Sequence, residues 1–239
     1  MSLKAGILII GSLFWDLDKN RPAWRADRLD MARAQNVFVP IRYGRLSKSR
    51  GNSYTMVFSR GCPLGHAKMV PCLNTVSSLP DLIREAESLW KAEQPSAKAH
   101  CIAADWGCVA LLCNPNRPIS EEITTGWATH VRGQANYGKV TQTAAEGSLI
   151  DVDGRLAIEW PALVETHEPV QFDLLLVTAN DPRISVANPD YPDVARIANA
   201  WNSAPEYAEY FWNNADNGIT TFEDGEIRTV LGQRRTSPL

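Results

Sequence analysis

The sequence lacks the motifs of several large classes of protein. It has no CxxC pair and an odd number of cysteines, which are Cys62, Cys72, Cys101, Cys108 and Cys113. That usage excludes a small secreted disulfide scaffold and favours a reducing, cytoplasmic compartment. The four histidines are scattered, so the sequence predicts no metal site. A GxGxxG fingerprint for a dinucleotide is also missing.

Charge and hydropathy exclude further classes. The chain of 239 residues has 24 Lys and Arg against 27 Asp and Glu, a formal net charge of −3. This balance argues against a protein that binds nucleic acid by neutralising phosphates. No apolar run reaches the roughly 18 residues of a membrane-spanning helix. We therefore predict a globular protein that binds neither nucleic acid nor a membrane.

The hydrophobic pattern predicts strands first and a mixture of strands and helices later. Strands are predicted at residues 5–10, 36–43, 53–59, 65–72, 106–113, 148–152, 156–160, 171–178 and 227–231. Helices are predicted at 81–94, 120–130, 193–199 and 205–212, and a polar loop or lid at 133–147. This order favours an α+β fold with a mixed, curved or barrel-like sheet rather than a doubly wound array.

The first candidate site is Gly11-Ser12-Leu13, directly after the first predicted strand. A Gly-Ser turn at the end of a strand leaves backbone N–H groups free to bind an anion or a developing oxyanion. An ordinary turn between a strand and a loop, with Trp15 in the core, fits the same residues.

The second candidate is a basic segment. Arg42, Arg45, Lys48 and Arg50 fall within nine positions. Arginine binds a carboxylate or a phosphate through two parallel hydrogen bonds, so this segment could hold an anionic group of a ligand. A solvated hairpin loop is the alternative interpretation.

Two further side chains could take part in catalysis. Glu85 lies on the predicted helix 81–94 and could act as a general base. Glu87 and Glu93 compete with it on the same helix, where surface glutamates are common. Cys62, with His66 four residues later, could form a nucleophile pair, although a loop thiol without that role fits equally.

Five short motifs follow one another in the first part of the chain. They are GSLFW at 11–15, Arg50-Gly51, Gly65-His66-Ala67, Val70-Pro71 and Arg84-Glu85. In this order they resemble the ChaC-like branch of the gamma-glutamylcyclotransferase superfamily. The resemblance covers about residues 5–90, and Ile10 stands where the family has a tyrosine.

The resemblance implies a fold and a reaction. Residues 1–105 would form a cyclotransferase-like barrel core, and residues 106–239 a C-terminal α/β extension packed on the same domain. The α-amine of a gamma-glutamyl amine or peptide would attack its own γ-carbonyl and release 5-oxoproline. Because the attack is intramolecular, holding the reactive conformer supplies part of the rate. No metal or organic cofactor is needed.

The resemblance also implies roles for the candidate residues. Glu85 would remove the ammonium proton, and the N–H groups of Ser12 and Leu13, after Gly11, would receive the oxyanion. One of Arg42, Arg45 and Arg50 would bind the α-carboxylate. The implied partner is a small-molecule substrate. The sequence does not decide between a monomer and a homodimer.

Two alternatives remain at this point. The same fold could serve as a non-catalytic module that binds a small molecule or another protein, which Ile10 and the long C-terminal half favour. The chain could also be a cysteine-dependent amidohydrolase that uses Cys62.

Overall fold

An eight-stranded mixed sheet organises the chain. The computed structural model describes residues 2–18, 20–137, 149–182 and 190–232. The strands are β1 (Ala5–Ile9), β2 (Gln35–Ser47), β3 (Ser53–Phe58), β4 (Leu64–Pro71), β5 (Ala103–Ala104), β6 (Gly107–Cys113), β7 (Ala162–Leu163) and β8 (Leu174–Asn180). Their order across the sheet is β3-β2-β4-β1-β8-β6-β5, and β7 pairs with β2.

Six α-helices accompany the sheet within these residues. They are α1 (Arg21–Arg28), α2 (Leu79–Glu93), α3 (Glu121–Arg132), α4 (Val194–Asn202), α5 (Glu209–Asp216) and α6 (Asp224–Leu231). The predicted α+β class with a mixed sheet is therefore confirmed. Not one of the six has the length and apolar character that crossing a bilayer requires.

Strands β1 and β8 form the parallel pair at the centre of the sheet. Leu8 lies opposite Val177, while β4 and β6 flank the pair in antiparallel orientation. Every residue of β1 is buried, as expected for a strand covered on both faces. Parallel strands end at the same edge of a sheet, so the turn after Ile10 lies beside the end of β8 at Asn180. Crevices at such carboxyl ends are common ligand sites.

The sheet joins the two halves of the chain but does not close. Strands β6 and β8 continue the sheet that β1 and β4 begin, so the predicted division at residue 105 runs through one sheet. Edge strands β3 and β5 are not paired with each other in the described residues, and the predicted barrel closure is absent there. The two-residue β5 offers too few backbone groups to close it. The β3 edge nevertheless approaches β8, and the amide of Asn180 donates to the carbonyl of Met56 at 3.4 Å.

Two local predictions need correction. Residues 227–231 belong to helix α6 and not to a strand, because Ile227 and Leu231 lie one turn apart and Asp224 begins the helix. The predicted hairpin around Asp153-Gly154 is reduced to one bridge between Ile150 and Leu156. Most of the predicted loop or lid at 133–147 lies outside the described residues.

Helix α2 carries Glu85 and Glu93, two of the glutamates considered as a general base from the sequence. Its N-terminus is capped by Ser78, whose hydroxyl accepts from the N–H of Asp81, a favourable start for a helix. Leu82, Ala86 and Leu89 are fully buried and hold one face of the helix in the core. This packing fixes where Glu85 and Glu93 project.

Candidate functional site

A cavity of about 410 Å³ opens at the carboxyl ends of β1 and β8. Its walls come from the loop after β1, the hairpin between β2 and β3, the end of α2, β8 and α5. Among the described residues, four cationic side chains line it, namely Arg21, Arg45, Lys48 and Arg50, against the single carboxylate of Glu93. The lining therefore favours a ligand that carries negative charge.

Helix α1 holds the loop after β1 through two buried arginines. Arg25 donates to the carbonyls of Leu13 at 2.7 Å and Asp16 at 2.9 Å. Arg21 donates to the side chains of Asp16 and Ser12. These bonds use carbonyls and side chains of the loop, and the N–H groups of Ser12 and Leu13 donate to no other residue in the described ranges. An oxyanion site needs donors of this kind.

The hydroxyl of Ser12 is held between two guanidinium groups. Its Oγ accepts from Nη1 of Arg21 at 2.9 Å and from Nη2 of Arg50 at 3.0 Å. A serine hydroxyl has two acceptor lone pairs and one proton. With both lone pairs occupied, the proton of Ser12 is available to a further acceptor. The residue lines the cavity and is 8% exposed.

Tyr210 brings a phenol to the same loop from the C-terminal half. The guanidinium of Arg50 lies 4.5 Å from the centre of its ring, within cation–π range. Burial raises the pKa of Tyr210 above its usual range, so the phenol keeps its proton at neutral pH. Trp15 secures α5 by donating from Nε1 to Asn214 at 2.7 Å. Ile10, which stands where the resembled family has a tyrosine, is buried. A tyrosine hydroxyl lies beside the loop at 11–13 nevertheless, and it belongs to Tyr210.

Arg45 reaches the cavity through an irregularity in β2. A bulge at Gly44 shifts the register so that Arg45 pairs with Thr55, another residue of the lining. The Arg45 guanidinium donates to the carbonyls of Trp106 at 2.9 Å and Asp181 at 3.3 Å. Arg45 and Arg50, both predicted from sequence, therefore lie in one cavity with the loop at 11–13.

Arg42 lies elsewhere. Its Nη2 donates to Glu223 at 3.4 Å, and its guanidinium lies 4.2 Å from the centre of the Tyr191 ring. It is not among the residues that line the cavity. The geometry gives Arg42 no contact with a ligand bound there.

Glu85 is also outside the lining. Its Oε1 accepts from Arg28 and from Asn74, both at 3.1 Å, and the residue is only 4% exposed. Glu93 follows eight positions later on α2, about 12 Å further along the axis at 1.5 Å per residue. That distance brings Glu93, and not Glu85, to the loop after β1, where Arg21 donates to Oε2 of Glu93 at 3.0 Å.

The Cys62 and His66 side chains have different partners. The Cys62 thiol donates to the carbonyl of Ser59 at 3.2 Å, while Nδ1 of His66 lies 3.3 Å from the Thr220 hydroxyl. Neither residue lines the cavity. Across the described ranges, no cluster of three His, Cys, Asp or Glu side chains could hold a metal ion.

Several residues of the cavity were not singled out from the sequence. Arg21 lies on α1, which was not predicted, and Glu93 was considered only as a competitor of Glu85. Thr178, Asn180 and Tyr210 come from the second half of the chain, to which the resemblance does not extend. Local sequence carries no signal for these last three, because only the sheet and α5 bring them to the loop.

Comparisons with protein families, with curated proteins and with solved structures find no match for this chain. A function must therefore be argued from the cavity itself.

Proposed function

We propose that this protein is a cyclotransferase-type enzyme that releases 5-oxoproline from a gamma-glutamyl amine or peptide. The observation that carries the proposal is that Glu93 and the loop at 11–13 line one cavity. A carboxylate and unused backbone N–H groups are the two elements that this ring closure needs. The general base is thereby assigned to Glu93 and not to Glu85.

The reaction can be written through these groups. Glu93 takes a proton from the substrate's α-ammonium, and the free amine attacks the γ-carbonyl carbon. A C–N bond forms, and the carbonyl oxygen becomes an oxyanion that the N–H groups of Ser12 and Leu13 stabilise. Glu93 gives its proton to the leaving nitrogen, the bond from the carbonyl carbon to that nitrogen breaks, and the C=O bond re-forms. The ring nitrogen still carries the second ammonium proton, which Glu93 takes and passes to the released amine, so the lactam nitrogen keeps one hydrogen and Glu93 ends as a carboxylate. The products are 5-oxoproline and the released amine.

The charge of the lining supports an anionic substrate. A gamma-glutamyl group carries an α-carboxylate, and a peptide adds a second one. Arg50, together with the hydroxyl proton of Ser12, offers charged and neutral donors to a carboxylate. Arg45 and Lys48 add positive charge to the same cavity, which raises the local concentration of anions.

One observation favours a non-catalytic module as the second candidate. Oε2 of Glu93 accepts from Arg21, whose guanidinium also contacts Ser12 and Asp16. A carboxylate engaged in this network could have a purely structural role, in which case the cavity binds an anion without turnover.

The test is 5-oxoproline release, measured by mass spectrometry, from glutathione and a panel of gamma-glutamyl amines and dipeptides. Wild type, Glu93→Gln and Glu85→Gln are compared, with circular dichroism as the check on folding. Removing a general base lowers the rate roughly 100-fold or more, so we expect that loss in Glu93→Gln. Glu85→Gln makes the same chemical change on the same helix and should keep the activity of wild type.

Two results would decide against the proposal. Loss of activity in Glu85→Gln, with Glu93→Gln still active, would return the base to Glu85. No release by wild type from any member of the panel would reject the enzyme and favour the binding module.

A further inference from the structure

Two residues of β8 that line the cavity each have a buried polar atom without a hydrogen-bond partner. Oγ1 of Thr178 and Oδ1 of Asn180 are both inaccessible to solvent and accept no hydrogen bond within the described part of the chain. Both residues line the cavity, and Thr178 is only 6% exposed. Buried polar atoms of this kind nearly always have a hydrogen-bond partner in folded proteins. We therefore expect a bound molecule to supply the partner of these two atoms.

The backbone puts both side chains on one face of the strand. Thr178 and Asn180 are two positions apart in β8, and alternate residues of a strand project to the same side. The orientation of the Asn180 amide is set by its Nδ2, which donates to the Met56 carbonyl at 3.4 Å. The other amide atom, Oδ1, is an acceptor only. The missing partner of Asn180 is therefore a hydrogen-bond donor.

The loop after β1 needs a hydrogen-bond acceptor rather than a donor. There Arg50 and the Ser12 proton present donors, and their natural partner is an acceptor such as a carboxylate. The cavity thus offers donors from one wall and acceptors from another. A ligand that satisfies both carries an anionic group and an N–H donor in one small molecule, as an amino acid does.

We propose that Thr178 and Asn180 form a subsite for the α-ammonium or amine of the ligand. The inference deepens the proposed function and rests on it, since the ammonium is the group that Glu93 must deprotonate. The subsite selects ligands with an α-amino group over otherwise equal dicarboxylates. Thr178 and Asn180 are positioning residues in this scheme, and Glu93 remains the base.

The experiment compares two compounds that differ by the amine alone. Binding of L-glutamate and of glutarate is measured by calorimetry with wild type, Thr178→Val and Ser53→Ala. Neither compound has an amide to cleave, so binding is read without turnover. A hydrogen bond to a charged group is worth enough to change affinity by about tenfold or more. We expect wild type to prefer glutamate by that factor and Thr178→Val to lose most of the preference, with glutarate affinity unchanged.

Ser53→Ala is the matched control. The Ser53 hydroxyl is also buried without a partner, but the residue is not part of the cavity lining. Both substitutions remove an unsatisfied hydroxyl at nearly constant shape, so neither should lower stability in urea unfolding. Only Thr178→Val should change the preference for glutamate.

The outcomes separate the subsite from the reaction. A wild type without preference for glutamate, or without binding of either compound, overturns the subsite, as does a Thr178→Val variant with the full preference. If glutamate is preferred through Thr178 but no panel substrate yields 5-oxoproline, the subsite stands and the proposed reaction fails. If 5-oxoproline is released while Thr178→Val changes nothing, the reaction stands and the subsite fails.

Discussion

A β-carbon placed on Gly11 would lie 2.7 Å from the hydroxyl oxygen of Tyr210. Real β-carbons do not approach another heavy atom so closely, and Tyr210 is buried and packed beside Arg50 and Trp15. The absence of a side chain at Gly11 therefore allows α5 to place its phenol on the loop. The next atom of Tyr210, Cζ, would lie 3.6 Å from the added carbon, an ordinary contact.

This relationship predicts a rescue between two substitutions. Gly11→Ala should lower the free energy of unfolding by about 1–3 kcal/mol through overpacking. In the Tyr210→Phe background the clashing oxygen is gone, so Gly11→Ala should cost far less there. Urea unfolding of the two single variants and the double variant measures the coupling.

Gly225→Ala provides the control for this cycle. Nothing lies within 4 Å of a β-carbon at Gly225, which is inside α6. The substitution should raise stability by up to about 1 kcal/mol, because alanine is the better helix residue. That gain should be the same with Tyr or Phe at position 210. Equal costs of Gly11→Ala in both backgrounds would refute the proposed clash.

A second prediction concerns Arg21, the buried centre of the network below the loop. Its guanidinium binds Asp16, Ser12 and Glu93, and its side chain is 5% exposed. Arg21→Met should lower the free energy of unfolding by about 3–5 kcal/mol, because the partly buried carboxylates lose their partner. Thermal or urea unfolding measures the loss.

The matched change is Arg84→Met on the same protein. Arg84 pairs with Asp81 on the exposed side of α2 at 3.0 Å, and exposed pairs of this kind contribute under about 1 kcal/mol. Similar losses for the two variants would contradict the network as a source of stability.

A third prediction is a pH dependence that originates at Asp224. Burial raises the pKa of this carboxyl to about 6, above its usual value near 3.9. The folded protein therefore binds a proton that the unfolded chain releases between about pH 4 and 6. Stability contributed by this group falls as pH rises through that window, by up to about 3 kcal/mol. Asp224→Asn keeps an oxygen for the N–H and hydroxyl of Thr221 and should remove the fall.

Asp81 gives the comparison of opposite sign. The Ser78 hydroxyl lowers the pKa of Asp81, so its contribution is present above the unfolded pKa and disappears as pH falls through the folded one. Urea unfolding at pH 4 and pH 7 should therefore show Asp224→Asn gaining stability relative to wild type at the higher pH. The deficit of Asp81→Asn should be nearly the same at both values and should shrink only as the pH falls below about 4. Parallel profiles for wild type and Asp224→Asn would reject the assignment.

The sequence by itself determined the elements that depend on local pattern. The apolar run at 5–10, the alternating segment at 53–59 and the spacing of Leu82, Ala86 and Leu89 predicted β1, β3 and α2, because periodicity follows directly from strand and helix geometry. The Gly-Ser turn and three arginines were predicted to contact a ligand. The turn, Arg45 and Arg50 lie in one cavity, whereas Arg42 does not line it. The short predicted strand at 227–231 was wrong because five residues do not distinguish a strand from a helix end.

Only the tertiary structure decided which glutamate faces the loop and what completes the cavity. Glu85 and Glu93 are the same residue type on the same helix, about 12 Å apart along its axis. Glu85 forms a structural ion pair with Arg28, whereas Glu93 lines the cavity with Ser12. Thr178, Asn180 and Tyr210 reach the loop because β8 pairs in parallel with β1 and α5 packs against Trp15. Contacts between residues so far apart in the chain depend on how elements pack, and no local pattern encodes them.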